Sequence, residues 1–516
     1  MKRTTFLLAT NMLFLWLFIA KVATANIIPY PQKIIYDKGD FIVFPDTKMI
    51  CDKELASMAQ FYADIIEEIV GFPLKKDIIH TGSSISISID KKSTLHEEGY
   101  TLNISSEKIE LCSSSEKGIF YGLQSLRQLV SKRDSKVVFP VVSIEDFPVF
   151  SWRGLMLDVS RTFMSTLLVK RYIDLMAYYK LNTLHLHLID DQGWRVEIKR
   201  YPKLTSVGSK FDAEFNEMGG YYNQDDIREL VEYAALRNIT IVPEFELPGH
   251  ECAAIASYPE LSCSGMRPPI HPFFMGPGIH KEIFCAGKPE VYEFVFNVLD
   301  ELLELFPSPV IHIGGDEVPK DEWKKCSYCQ KKMQENTLAN EEELQSYFVT
   351  QIGDYLKKKG RTLIGWDEIL DGGKLKGDEY VMFWRGSLPT GILEGAAQKG
   401  FKIIASPTTH CYFDYTYDRI NTKTVYTFNP VPTNASPAMA ANIIGVQADF
   451  WSHIDRSEKR IDQQLFPRLF ALSEVAWSSS ESRNWDRFKK IAKAQNEKLR
   501  DMQVNCYYDK SIYILE

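Results

Sequence analysis

Apolar and polar positions along this chain follow two rhythms, and the change falls near residue 150. Between Asn26 and Pro148, short alternating or apolar runs predict strands: FIVF (41–44), SISISI (84–89), YTLNIS (100–105) and KIELCS (108–113). Two segments with apolar residues every three to four positions predict helices: ELASMAQFYADIIEEIV (54–70) and EKGIFYGLQSLRQLV (116–130). Together they describe a small α+β domain over 26–148, with helices on one side of a sheet. The stretch DFPVFSWRG (146–154) marks its end.

After Ser151, short apolar strands alternate with longer amphipathic helices. The strands are RGLMLDVS, NTLHLHLI, ITIVPEFE, PVIHIGGD, TLIGWDEI, YVMFWRG, FKIIASP and IIGVQADFW. Helical spacing occupies TLLVKRYIDLMAYYK, QDDIRELVEYAALRN, PEVYEFVFNVLDELLELF and GILEGAAQKG. About eight such units predict an α/β chain with a (β/α)₈ barrel over 149–516, closed by a C-terminal helix. An open doubly wound sheet is the alternative, but no GxGxxG sits in a first strand-to-helix turn.

The chain's 516 residues carry 60 basic and 68 acidic side chains, a net charge of −8, which speaks against a nucleic-acid partner. Lys2 and Arg3, the apolar run Met12 to Ala20 and the small residues Ala23, Thr24 and Ala25 read as a signal peptide over 1–25. That run is too short to favour a spanning helix, so the mature chain is expected to be exported, periplasmic or extracellular, without stable membrane insertion. Export permits disulfides, and a bridge from Cys263 to Cys285 would close a Pro- and Gly-rich loop. The lone CxxC, Cys326 to Cys329, is half of a zinc site and lacks a second CxxC, so no metal is expected.

Reactive and aromatic residues pile up just beyond the apolar strands: Arg161, Asp190 and Asp191, Glu246 and His250, Asp316 and Glu317, Trp366, Trp384, Tyr412 and Asp414, and Trp451. Each has a bland reading, because tryptophans fill cores and an acid after a strand often caps the next helix. Repetition at nearly every strand end favours one shared rim, where barrel active sites lie. No P-loop, no GxSxG and no pair of histidines at metal spacing is present. Acids with flat aromatics suit sugar rings and acid-catalysed cleavage of a glycosidic bond.

Asp316 and Glu317 are adjacent, which is awkward for two carboxylates flanking a bond ~5–9 Å apart. A sugar bearing a 2-acetamido group removes the difficulty, since its own carbonyl oxygen can attack the anomeric carbon. One carboxyl then serves as acid and base, and its neighbour steadies the acetamido group.

The motifs RGLMLDVSRTFM, LHLHLIDDQGWRVEI, IVPEFELPGHECAA, HIGGDEVPKDEW, GWDEI, FWRG and FPRLFALSEVAWS resemble those of the family 20 glycoside hydrolases, the β-N-acetylhexosaminidases. The resemblance covers nearly the whole chain after the leader. It implies Glu317 as general acid/base, Asp316 as the residue that orients the acetamido group, and Tyr412 as donor to its carbonyl oxygen. It implies Trp366, Trp384 and Trp451 as walls, Arg161 and Asp414 as binders of outer hydroxyls, and Asp191 with His250 as a supporting pair, Glu246 standing with them. The expected reaction is exo-acting release of terminal β-linked N-acetylhexosamine, with retention, no cofactor and a glycan as the partner. One departure stands out: Trp451-Ser452-His453 replaces the family's Trp-Ser/Thr-Glu. A histidine there could tolerate a sulfated sugar that a carboxylate would repel. Release of a disaccharide, or a non-catalytic glycan-binding barrel, are the other readings.

Overall fold

The computed structural model describes residues 26–514, apart from 56–58, 77–81, 212–217, 277, 387, 389 and 453–456. The first domain is an eight-stranded mixed sheet. Its main path runs Lys33–Val43, Lys136–Asp146, Tyr100–Ile104, Lys108–Ser113, Ser84–Ile89, Lys48–Cys51 and Lys75–Lys76, and Ser131–Arg133 pairs with Lys136–Asp146. The helix Glu116–Leu129 lies on Tyr100–Ile104 and Lys108–Ser113 and touches the helix Ala59–Val70, so both share one face. Gly118 makes that approach possible: a Cβ there would meet Ser113 Oγ at 2.0 Å and Gly99 O at 2.1 Å. Within the run 54–70, Ala59–Val70 is a helix, and a 3₁₀ turn covers Lys53–Leu55.

The second unit is a closed parallel barrel. Its strands are β1 (Trp152–Asp158), β2 (Thr183–His187), β3 (Thr240–Glu244), β4 (Val310–His312), β5 (Thr362–Trp366), β6 (Tyr380–Phe383), β7 (Lys402–Ala405) and β8 (Ile443–Phe450), with β8 pairing back to β1. All eight correspond to the apolar runs of the sequence. The outer helices include α1 (Thr166–Tyr178), α2 (Gln224–Ala235), α3 (Pro289–Leu305), α4 (Glu341–Lys358) and α5 (Thr390–Gln398). The strict alternation fails after β5, where only the 3₁₀ turn Asp367–Leu370 leads to β6. Inside the barrel, Trp152, Val242, Val310, Ile364, Trp366, Met382 and Ile404 form a packed layer. Among the described residues, no helix is long and apolar enough to cross a membrane.

Buried charges join the two units. Arg153 on β1 grips Glu98 of the first domain with two bonds, 2.8 and 2.9 Å, and lies over the Trp477 ring at 5.0 Å. Lys180 Nζ meets Asp146 Oδ2 at 2.8 Å, and Trp477 Nε1 donates to Asp146 Oδ1 at 2.8 Å. These pairs hold the sheet domain against the start of the barrel, at β1 and the end of α1.

Candidate active site

Parallel pairing puts the last residue of each strand on one rim, and the chain then turns across it. After β4 the backbone leaves the strand through Gly314 (φ +61°) and Gly315 (φ +99°), and Glu317 itself has φ +49°. Asp316 and Glu317 therefore do not alternate across a strand; they diverge from a left-handed turn. Only a glycine fits at 314, because a Cβ would meet Glu246 Oε2 at 1.7 Å. His250 is the second non-glycine residue at this rim held at positive φ, +54°. Such strain persists where the surroundings over-determine a residue.

The turn opens on a cleft of about 430 Å³ lined by Arg161, Phe273, Gly278, Ile279, Asp316, Glu317, Trp384, Tyr412, Asp414, Tyr415 and Trp451. Trp384 and Tyr412 stack with centroids 6.1 Å apart, and Trp451 stands 6.2 Å from Tyr412 at 48°. A second cleft of about 350 Å³, bordered by Lys320, Glu342, Glu368 and Asp371, shares Glu317 and Ile279 with the first. Asp316 is buried, whereas the Glu317 side chain is 35% exposed and faces both clefts. Neighbouring acids thus reach two different places.

The cleft's aromatic walls are fixed by hydrogen bonds. Trp384 Nε1 donates to Glu368 Oε2 at 2.8 Å, and the backbone N–H of Trp384 donates to Asp367 at 3.2 Å. Trp366 does not line the cleft; it is fully buried beneath Trp451, 5.9 Å away, with Nε1 donating to Glu244 Oε1 at 2.9 Å. Burial and the negative charges of Asp449, Asp316 and Asp414 raise the Tyr412 phenol well above its ordinary range, so its O–H stays a donor.

Behind Glu317 runs a chain of partners. His250 Nε2 lies 3.6 Å from Glu317 Oε2, and His250 Nδ1 lies 3.2 Å from both Asp191 Oδ2 and Asp190 Oδ1. Burial opposes charge on His250, but Asp190 and the hydrogen bonds to Asp190, Asp191 and Glu317 outweigh it and raise its pKa. Asp191 also accepts the Cys252 N–H at 3.1 Å. Asp190 takes Arg161 Nη2 at 2.8 Å and His187 Nε2 at 2.9 Å; Asp158 takes the other Arg161 nitrogen at 3.3 Å. Arg161 is thereby locked, with its guanidinium carbon 4.7 Å from the Trp451 ring centre.

Burial raises Asp316, His250 and a hydrogen bond from Glu246 pull it back, and the charges of Glu244 and Glu317 push it up; the net direction is upward. Burial and the charge of Asp316 hold Glu246 well above the carboxylate range, so Glu246 is a neutral donor. Asp316 borders the cleft, and its Oδ1 is buried and receives no hydrogen bond, which leaves that carboxylate with an unused acceptor. Asp414 is pushed up to about 7 by burial.

Arg161, Asp191, Glu246, His250, Asp316, Glu317, Trp384, Tyr412, Asp414 and Trp451 thus converge, with Trp366 one layer below. His453 and the first 25 residues, where a leader with a cleavage pattern is expected, lie outside the described residues. Sequence reasoning assigned no role to Glu244, which joins His185, His187 and His312 in a buried cluster under the rim. The alternation His185-Leu186-His187 was its signal, since residues two apart on a strand share a face. Glu368, raised to about 8 by burial and the charge of Asp316, was also missed, as were Phe273, Ile279 and Tyr415, which loops without periodicity bring to the cleft. The expectation of an isolated CxxC is corrected. Cys263 and Cys285 join Cys326 and Cys329 in one cluster, and no disulfide links Cys263 to Cys285.

Residues 150–480 match the family described as "Glycosyl hydrolase family 20, catalytic domain", and residues 24–147 match "Glycosyl hydrolase family 20, domain 2". The chain belongs to glycosyl hydrolase family 20. Its barrel is the catalytic domain of a glycosidase, as the motifs implied. A β-hexosaminidase of Porphyromonas gingivalis is 38% identical over 487 residues, covering 90% of this chain; the match spans 62% of that longer relative. A solved β-N-acetylhexosaminidase from Bacteroides fragilis superposes with TM-score 0.84 at 31% identity, covering 95% of this chain and 99% of that one. A Vibrio harveyi family 20 exo β-N-acetylglucosaminidase in complex with N-acetylglucosamine gives 0.83 at 31% identity, covering 93% and 78%.

Proposed function

We propose that this family 20 enzyme removes terminal β-linked N-acetylhexosamine from glycans by substrate-assisted catalysis with retention. The observation that carries the reading is the divergence of Asp316 and Glu317 from one left-handed turn. One enters a buried aromatic cleft and the other borders that cleft and its neighbour. In the proposed reaction Glu317 gives its proton to the glycosidic oxygen as the bond to the anomeric carbon breaks. The 2-acetamido carbonyl oxygen forms the new bond to that carbon, with the Tyr412 hydroxyl donating to it. The positive charge passes to the oxazolinium ring, whose N–H donates to the Asp316 carboxylate. Glu317, now ionised, takes a proton from water as that water opens the ring. Holding the nucleophile inside the substrate removes most of the entropic cost of attack.

The aromatic walls suit the sugar face and the acetamido methyl, and the relative holding N-acetylglucosamine supports that choice of sugar. The basic residues, apolar run and small residues of the first 25 positions support export. The test compares kcat/KM on aryl β-glycosides of N-acetylglucosamine, N-acetylgalactosamine and 6-sulfo-N-acetylglucosamine, with the anomer of the first product followed by NMR. Turnover of the unsulfated sugars with a β-product supports the reading. Preference for the sulfated sugar would assign His453 to an anion site. An α-product, or binding with no turnover, would refute the mechanism.

A further inference from the structure

Four cysteines far apart in sequence meet beside the active-site rim: Cys263, Cys285, Cys326 and Cys329. Their sulfurs all lie within 4.8 Å of one another. Cys285 Sγ is 3.6 Å from Cys326 Sγ and 3.6 Å from Cys329 Sγ, and Cys263 Sγ is 3.8 Å from Cys329 Sγ. Zinc–thiolate bonds of about 2.3 Å arranged tetrahedrally put neighbouring sulfurs about 3.8 Å apart. A disulfide needs about 2.05 Å, and Cys285 stands equally far from two candidate partners, so the geometry selects no pairing. From this arrangement we propose that Cys263, Cys285, Cys326 and Cys329 bind one structural Zn²⁺ as a four-thiolate site.

The surroundings fit that ion. Cys285, Cys326 and Cys329 are buried and Cys263 is half-buried, which gives the closed, dry shell of a structural site. Cys326 caps the nine-residue helix Ser327–Glu335 and Cys329 lies in its first turn, where the helix dipole favours negative sulfur. Gly287 passes so close that a Cβ would meet the Cys329 nitrogen at 2.3 Å. Lys288 Nζ donates to Ser262 O at 2.6 Å, bringing a cation beside a site whose four thiolates exceed the metal charge by two. Binding replaces four S–H bonds by four Zn–S bonds and releases four protons.

The site would act as a staple. Cys263 and Cys285 end the loop that brings Phe273, Gly278 and Ile279 to the cleft, while Cys326 and Cys329 follow the segment that bears Asp316 and Glu317. Trp323 Nε1 donates to Phe284 O at 2.9 Å, a second tie between the same two segments.

The test measures metal content of the purified full chain by inductively coupled plasma mass spectrometry, with thiols titrated before and after an organomercurial. One zinc per chain, released as four thiols react, is expected. The double variant Cys285→Ser with Cys329→Ser should fall below one-tenth zinc, and Cys112→Ser should keep the full amount. Should the double variant fail to fold, the wild-type chain reconstituted with Co²⁺ should show the absorption of a tetrahedral tetrathiolate. Less than one-tenth zinc in the wild type would overturn the proposal. So would iron in place of zinc, or peptide mapping that finds these cysteines joined as disulfides.

Discussion

Replacing Asp316 by asparagine separates charge from hydrogen bonding at the point where the reaction develops a cation. Asparagine keeps the shape and can still present an oxygen to the acetamido N–H, so substrate binding should change little. What disappears is the attraction between a buried carboxylate and the oxazolinium charge. For charges about 4 Å apart at an effective dielectric of ~20, that attraction is about 4 kcal/mol, or roughly 10³-fold in rate. The substitution should lower kcat by about that factor and leave KM within about threefold, since the lost interaction exists only in the transition state. A second signature comes from pH. Burial raises Asp316 above the ordinary range, and catalysis needs its ionised form. In the wild type, kcat/KM should therefore fall as pH drops through that raised value, and the fall should be absent in the asparagine variant. Steady-state kinetics on the aryl N-acetylglucosaminide from pH 3 to 8 reads both. A kcat within tenfold of wild type, or a loss carried by KM, would refute the assignment.

Three further outcomes follow from neighbouring contacts. Glu246→Leu removes the neutral donor that lowers Asp316, so the acid limb of kcat/KM should move to higher pH, while Glu246→Gln, which keeps a donor, should leave it in place; equal limbs in both would remove Glu246 from this role. Gly314→Ala sets a methyl 1.7 Å from Glu246 Oε2 at φ +61°. It should cost at least about 1–2 kcal/mol from the left-handed backbone alone and cut kcat at least tenfold, as read by denaturant titration and single-turnover kinetics. Arg153→Met strands Glu98 at the interdomain contact; breaking such a buried pair costs about 3–5 kcal/mol, so the first unfolding transition in urea should move to lower denaturant.

The eight barrel strands were legible because each is a short apolar run buried on both faces, between polar turns. The site was legible because its acids and tryptophans follow those runs directly. The missing helix after β5 was not: TLIGWDEI reads as one strand of a βα unit, yet the strand ends at Trp366 and only a 3₁₀ turn follows, which aims Asp367 and Glu368 at Trp384. Phe273 and Ile279 come from a loop with no period, so nothing in its spacing marks them as cleft residues. The four cysteines escaped for a related reason. Only one CxxC exists, and the other two ligands stand at the ends of that loop, brought together by backbone bonds such as Cys285 N–H to Leu261 O at 2.9 Å.

The charge arrangement explains why Asp316 is the group that answers a developing cation. Asp158 and Asp190 are engaged by Arg161, and Asp191 by His250. Glu244 sits among His185, His187 and His312, and Asp367 takes Arg385. Glu246 is held neutral, and Glu368 is raised and bound to the Trp384 indole. Each of these acids already has its charge matched or its proton retained. Asp316 is different. It is buried and raised, one of its oxygens receives no hydrogen bond, and the charged His250 behind it is tied to two other carboxylates. A positive charge appearing on the bound sugar therefore meets an ionised carboxylate whose charge is not already matched, which makes Asp316 worth more to the transition state than to the ground state.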